Sequence, residues 1–268
     1  MLEHLRQRGY EEILYLSHAA AILGEDFPAA IAELEACLID FEIPITEIIG
    51  SGGGETKGTQ RLRKALASYG WKKTIFEIKK TINGVPRESM SHEVDHVRTL
   101  DNGTVLALEI EWNNKDPFFD RDLENFKRLH AEGAISVGII VTRGSDLQGD
   151  MRAMVARFAQ ERDIQSYEDL KRLGWSSSDR RKDAVLKAVT RAKNPMSFQE
   201  AWTRDFVSNK FGQAQTHWRK LMDRVSRGVG NPCPLLLIGM PASIVTFDPA
   251  AMIEMPEEAD EETEAGEA

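Results

Sequence analysis

The chain has 268 residues, 41% of them apolar, enough for a sizeable core, and no apolar run approaches the roughly 18 residues that a membrane span requires. Its net charge of −9 argues against a nucleic-acid partner only until the charge is located: Glu254–Ala268 holds eight acids and no base, which leaves 35 acids against 34 bases in residues 1–253. Cys37 and Cys233, the two cysteines, have no CxxC or Cys/His spacing, so neither a disulfide framework nor a zinc site is suggested. The opening MLEHLRQRGYEEILYL lacks the charged-then-apolar layout of a signal peptide, so a soluble, cytoplasmic protein is expected. A block of like charge with few apolar residues cannot offset its ordering entropy, so residues 254–268 read as a disordered acidic tail behind a single domain over 1–253.

In chain order, residues 1–48 read as a helical part. Asp26 is its clearest N-cap candidate, with Pro28 in the first turn and Ile31, Leu34, Cys37, Leu38 and Phe41 at helical spacing. GSGGGE at 50–55 interrupts the pattern, and a glycine-rich loop before a helix can present N–H groups to phosphate, although a plain connector is the commoner use. A helix comes next, with Leu62, Ala65, Leu66 and Tyr69 as its stripe and Gly70 at its end. The period then shortens to two. TIFEIKKTI reads as a strand, Asn83-Gly84 as a hairpin turn, HEVDHVR as the second strand and TVLALEIEW as the third.

On the third strand Val105, Ala107, Glu109 and Glu111 share a face, and the turn decides whether Asp95 joins them. A two-residue turn sets Asp95 opposite Ile110. A three-residue turn, Asp101-Asn102-Gly103 with Gly103 left-handed, sets it opposite Glu109, and this register is preferred. Alternating acids on a hairpin most often mark a solvated face, but the next two elements argue against that here. Asp116 reads as N-cap and Pro117 as the first residue of a helix carrying Phe119, Leu123, Phe126 and Leu129, and AISVGIIVT as a strand buried on both faces. Strand, helix and strand make a right-handed parallel crossover, so the third strand is internal. The expected fold is therefore α/β: an antiparallel three-strand meander plus a parallel strand, flanked by helices. The core spans 56–143, and 144–253 supplies DNA-binding and dimerisation elements.

Three carboxylates gathered under such a layer repel one another and suit a hard cation such as Mg²⁺, a common device for phosphodiester hydrolysis. The element order matches the PD-(D/E)xK nuclease core. SHEVDHV, LEIEWNNKDPFFDRDLENFKRLH, GAISVGIIVTRG, THWRKL and RGVGNPCPLLLIG together resemble the BglII/BamHI group of type II restriction endonucleases from about Gly50 to Ile244. The resemblance implies a Mg²⁺-dependent bacterial or archaeal homodimer, partnered in function by a DNA methyltransferase, that cuts short palindromic double-stranded DNA, often around GATC, leaving 5′-phosphates. It assigns Asp95, Glu109 and Glu111 to metal binding and catalysis. Glu111 stands where most nucleases of this fold carry lysine; BamHI also has glutamate there, whereas BglII has glutamine. The further acid is expected at Glu77, with Glu93 as its competitor. Base-reading or backbone contacts are expected from Asn113, Asn114, Lys115, Asp116, Arg143, Thr216 and His217, with a basic helix at 176–194 as a further candidate phosphate surface. The alternatives are a catalytically silent DNA-binding protein on the same scaffold and a structure-specific repair nuclease.

Overall fold

The period of two that begins after Trp71 is built into a sheet. The computed structural model describes residues 1–50, 55–176 and 178–254, so the expectations for the glycine-rich residues 51–54 and for the acidic tail beyond Glu254 lie outside the described residues. The first elements are α1 (Glu3–Gln7), β1 (Ile13–Leu16), α2 (Ala19–Asp26), α3 (Pro28–Ile39), β2 (Ile43–Pro44), α4 (Ile45–Gly50) and α5 (Lys57–Ser68). Then come β3 (Lys72–Ile82), β4 (Val85–Thr99), β5 (Val105–Glu111), α6 (Phe118–Ala131) and β6 (Val137–Arg143). The rest is α7 (Ser145–Glu161), α8 (Tyr167–Arg172), α9 (Asp179–Thr190), α10 (Phe198–Lys210), α11 (Trp218–Val225), β7 (Leu235–Met240) and β8 (Val245–Thr246). Among the described residues, no helix is long and apolar enough to cross a membrane.

The chain divides into two compact units. The first, Met1–Phe41 with Arg61–Gly149 and Phe211–Ile244, carries a six-stranded sheet in the order β1-β7-β6-β5-β4-β3. β3, β4 and β5 form the antiparallel meander, β5 runs parallel to β6 through the α6 crossover, and β6 runs parallel to β7. This is the mixed α/β sheet that the sequence implies. Every residue of β6 and β7 is buried, which is why both read as unbroken apolar runs. α6 packs Phe119, Leu123, Phe126 and Leu129 with Val97, Ala107, Ile140 and Leu237, and each such side chain taken from water stabilises the fold by roughly 1.5–3 kcal/mol.

The N-terminal part is not helical throughout. β1 joins the edge of the sheet, antiparallel to β7, with Ile13 opposite Ile238 and Leu16 opposite Leu235. Four residues are too few for a helical and an extended period to differ, so the open edge of β7 decides the conformation. Asp26 closes α2 instead of capping α3, which starts at Pro28 after Phe27.

In the second unit, Glu42–Gln60 with Asp150–Lys210 and Val245–Ala268, β2 pairs in parallel with β8. Its helices pack around rings: Trp175 meets Trp202 edge-on at 5.8 Å, Trp202 stacks on Phe206 at 5.5 Å, and Tyr167 meets Phe198 edge-on at 5.0 Å. α9 buries Val185 and Ala188 and leaves Arg180, Arg181 and Lys187 exposed.

The contact between crossover helix and sheet is tightest at Gly138 on β6, where an added Cβ would lie 2.4 Å from Phe126 Cδ2. Gly138→Ala is expected to lower the urea midpoint by the equivalent of roughly 1–3 kcal/mol, the usual cost of overpacking a filled core. An unchanged midpoint would count against this packing.

Candidate active site

The β4–β5 turn sets the register. Leu100 N donates to Thr104 O at 2.9 Å and Gly103 N donates to Leu100 O at 2.9 Å, with Gly103 at φ +81°. Asn102 Oδ1 accepts from Thr104 N at 3.0 Å, which fixes the left-handed corner that only glycine enters without strain. Asp101, Asn102 and Gly103 are therefore the turn, His96 stands opposite Leu108 and Val97 opposite Ala107. One step further, Asp95 comes level with Glu109, and its backbone N–H donates to Glu109 Oε1 at 3.4 Å. Ala107 lies in the core with α6, so alternation places Glu109 and Glu111 on that covered face. They are 3% and 2% exposed. This is not a solvated strand face.

β4 is irregular beside them. Thr74 pairs with Val94 but Lys72 with Val97, so β4 carries one extra residue in a bulge that contains Asp95 and His96. Val94 and Val97 both enter the core as a result, and strict alternation fails between Glu93 and Asp95. Glu93 pairs with Lys73. Glu77 stands opposite Ser91, out of phase with Phe76 and Ile78, which pack against the core, and its carboxylate meets Lys79 at 2.8 Å. Of the two residues expected to complete the acid group, Glu77 lies out of phase with the core-facing Phe76 and Ile78, and Glu93 meets the same lysine that Asp95 faces.

The acid that does join the two glutamates comes from α6. Asp122 is fully buried; its Oδ1 accepts from Arg121 Nε at 2.8 Å, and its carboxyl shares a side-chain hydrogen bond with Glu111. Arg121 lies 4.2 Å above the Phe118 ring and brings Nη2 to 3.8 Å from Glu111 Oε1. Asn114 Nδ2 donates to Glu111 Oε2 at 2.9 Å. Burial first, and then the charge of Asp122, push the carboxyls of Glu109 and Glu111 up to about 9; Asp95 adds to the effect on Glu109. Burial raises Asp122 as well, opposed by Arg121. Sequence reasoning missed Asp122 because acids on helices are ordinary. The usable signal is its place among Phe119, Leu123 and Phe126, on the apolar stripe of α6.

Among the described residues, no three His, Cys, Asp or Glu side chains form a ready cage for a metal ion. The Asp95 side chain is 53% exposed and turns toward Lys73 at 3.7 Å. The donor type is nevertheless the one a hard divalent cation takes: carboxylate oxygens, of which those of Glu109 and Glu111 are buried, with the half-exposed Arg121 at 3.8 Å from Glu111.

The residues expected at the DNA come together in two strands of loop. Asn114 N donates to Thr216 Oγ1 at 3.0 Å, Thr216 N to Asn114 O at 2.8 Å, and Asp116 N to Ala214 O at 2.9 Å. Asn114 and Lys115 are exposed. Asp116 does not cap α6 with its side chain but pairs with Arg224 at 3.1 Å and Lys220 at 3.3 Å, and these two cations hold its carboxyl below the usual range although burial opposes them. Thr216 and His217 are buried, and burial followed by the charge of Arg143 pulls the His217 imidazole down to about 4. Arg143 is fully buried, donates from Nη2 to Thr216 O at 2.7 Å, and stands over the Phe211 ring at 5.0 Å, with burial lowering its guanidinium to about 9. Arg143, Thr216 and His217 are therefore buried beneath the loop, while Asn114 and Lys115 are exposed on it. Asn113 keeps a buried Oδ1 with no partner among the described residues.

No individual curated protein matches the chain. The family described as restriction endonuclease BglII/BglIII matches residues 11–240, a span that takes in the whole sheet, α6 and the acid group. The chain belongs to the BglII/BglIII restriction endonuclease family and is a type II site-specific deoxyribonuclease.

Proposed function

We propose that Asp95, Glu109 and Glu111 are the cleavage centre, that they hold Mg²⁺, and that the exposed Asn114 and Lys115 read DNA beside it. The observation that supports this most strongly is the pair of buried glutamates on β5, left without a full counter-charge, three residues from an exposed polar loop. Bound there, Mg²⁺ would polarise the scissile phosphate, acidify a water and steady the leaving oxygen. The chain's own residues do the rest. Glu109 is fixed by the Asp95 N–H, Glu111 by the Asn114 amide, and both must lose their protons before they can bind a cation or accept a proton from water. Asp95, at the bulge and half exposed, is the acid nearest to solvent and so to an arriving phosphate.

On this reading the enzyme acts as a homodimer, because isologous symmetry presents the same loop to both halves of a palindrome. A palindrome centred on GATC, products with 5′-phosphates, a partner methyltransferase and a bacterial or archaeal cytoplasm belong to the same proposal through the family resemblance. Each wrong base pair costs roughly 1–3 kcal/mol of binding. The presence of Asp95, Glu109 and Glu111 favours an active enzyme over a silent DNA-binding scaffold.

Purified protein incubated with unmethylated plasmid and Mg²⁺ is expected to give discrete fragments, and chelation to abolish them. Nicking or structure-dependent cuts would point to a repair nuclease, and intact plasmid to a binding protein. Asp95→Asn and Glu109→Gln are each expected to slow cleavage at least about a hundredfold, the scale of losing one preorganised electrostatic group, with retention in a gel-shift assay unchanged. Full activity in either variant would remove that residue from the centre.

The raised carboxyls also set a pH dependence. Glu109 and Glu111 bind protons more tightly folded than unfolded, so without metal they favour the fold at low pH. That advantage is lost as pH rises from the unfolded value near 4.5 toward about 9. In chelator the melting temperature is expected to fall across this window, and Glu109→Gln to flatten the slope. An equal slope in wild type and variant would refute the assignment of the proton to this pair.

A further inference from the structure

We propose that α9, in the second unit, is a contact for the DNA backbone outside the cleavage centre, and that Arg180, Lys187 and Arg191 carry it. DNA is the substrate the family assigns, and the argument does not depend on which residues cleave it.

Between Ser176 and Asn194 six bases stand against two acids. Asp179 meets Lys182 at 3.4 Å, but Arg180, Arg181, Lys187 and Lys193 form no ion pair among the described residues. Several other cations of the unit are used by the fold itself: Arg157 pairs with Glu161 at 2.7 Å, Arg172 pairs with Asp169, and Arg162 donates to the carbonyls of Asp248 and Ala251. The cations of α9 are not. Even Asp183 and Lys187, one turn apart, are left unpaired among the described residues.

Helical spacing puts Arg180, Ala184, Lys187 and Arg191 along one flank of α9, while Val185 and Ala188 form its buried side. All four flank residues are exposed. The stripe is roughly 16 Å long at the rise of an α-helix, and the small Ala184 at its middle lets another surface come close. Folding gives no reason for this charge. Arg180, Arg181 and Lys182 stand in the first turn, where the helix macrodipole is already positive, so they act against the stability of the helix.

A duplex carries one negative charge per roughly 1.7 Å of axis, so several phosphates lie along a stripe of this length. Free cations meet them without breaking any ion pair of the protein, and the counterions released from the DNA drive the contact. Phosphates carry no sequence information, so the stripe acts on DNA of any sequence.

The test is binding of the full chain to a labelled duplex of arbitrary sequence, followed by fluorescence anisotropy in chelator over a range of salt, where no cleavage is needed. The variant Arg180→Gln/Lys187→Gln/Arg191→Gln is expected to bind about tenfold more weakly or worse. Its plot of log affinity against log salt is expected to be shallower by roughly 2 to 3, since each phosphate contact contributes about 0.9. Arg180→Lys/Arg191→Lys is expected to keep both affinity and slope, because a phosphate contact needs the charge. A control that removes the exposed Arg6, Lys64 and Lys171 changes the net charge equally and is expected to leave the slope within about one contact of the unsubstituted chain. Unchanged affinity and slope in the triple α9 variant overturns the proposal, whether the stripe then faces water or the acidic run after Glu254. An equal loss in the control, or in the lysine variant, overturns it as well. Should the triple variant fail to fold, the three single Gln substitutions decide: each is expected to lower the slope by about 0.9, and three unchanged slopes overturn the proposal.

Discussion

Glu109 and Glu111 sit two residues apart on a strand whose acid-bearing face is covered by α6, where water that would solvate their charge is excluded. Inside such a layer two carboxylates and a third from the helix cannot all be ionised unless cations oppose them. Burial and the neighbouring acids raise both glutamates, so protons meet the need in part, and Arg121 meets another part. Both devices are reversible. The rest of the unit is arranged to keep these acids in place against their own repulsion: β6 and β7 bury every residue beside β5, and α6 is pressed onto β6 so closely that Gly138 has no room for a side chain.

The loop that leaves β5 is held just as firmly, but at its backbone. Asn114 gives its N–H to Thr216 and takes the N–H of Thr216 on its carbonyl, Lys115 bridges to Gln215, and Asp116 N donates to Ala214 O. Arg143 supports the facing segment from below through Thr216 O, and Arg224 ties Asp116 to Asp120 at the start of α6. A loop pinned in this way loses little further freedom when it meets a ligand, which is the condition for precise hydrogen bonding to base edges. The exposed amide of Asn114 is the point where this loop touches the acid group, through Glu111.

How much of this was legible in the sequence depends on the range of the signal. The β4–β5 turn is local chemistry, because Asn102 and Gly103 state the corner in their own residue types, and the register over His96–Thr99 comes from it. The α6 crossover and the buried strand β6 are equally visible, since helical spacing and an unbroken apolar run are properties of single segments. The bulge in β4 is not. It depends on how β3 meets β4, and no residue type between Val94 and Val97 marks it, so Glu93 and Glu77 looked like companions of Asp95. β1 is likewise decided by the edge of β7, more than two hundred residues away in the chain. Arg143 misleads in the opposite sense: an arginine after a strand is ordinarily solvated, and only the ring of Phe211 and the carbonyl of Thr216, both from a distant segment, make a buried place for it.

A protein with acids at its centre and a net charge of −9 has DNA for its substrate, and the two facts pull against each other. Bare carboxylates near a phosphate repel it, and the lower the local dielectric, the stronger that repulsion. A divalent ion set between them reverses the sign of both interactions at once, since each carboxylate and each phosphate oxygen then faces positive charge. With the ion held as proposed, ion and DNA must therefore strengthen one another's binding by the same factor, because a coupling free energy between two ligands is reciprocal. The protons on Glu109 and Glu111 belong to the same balance. On that proposal they are what the free enzyme holds in place of the ion, and each proton released on assembly makes the complex less stable in acid and more stable in mild alkali. On the same proposal specificity gains: a DNA that fails to bring its phosphate to the acids would leave the ion weakly held and the acids protonated.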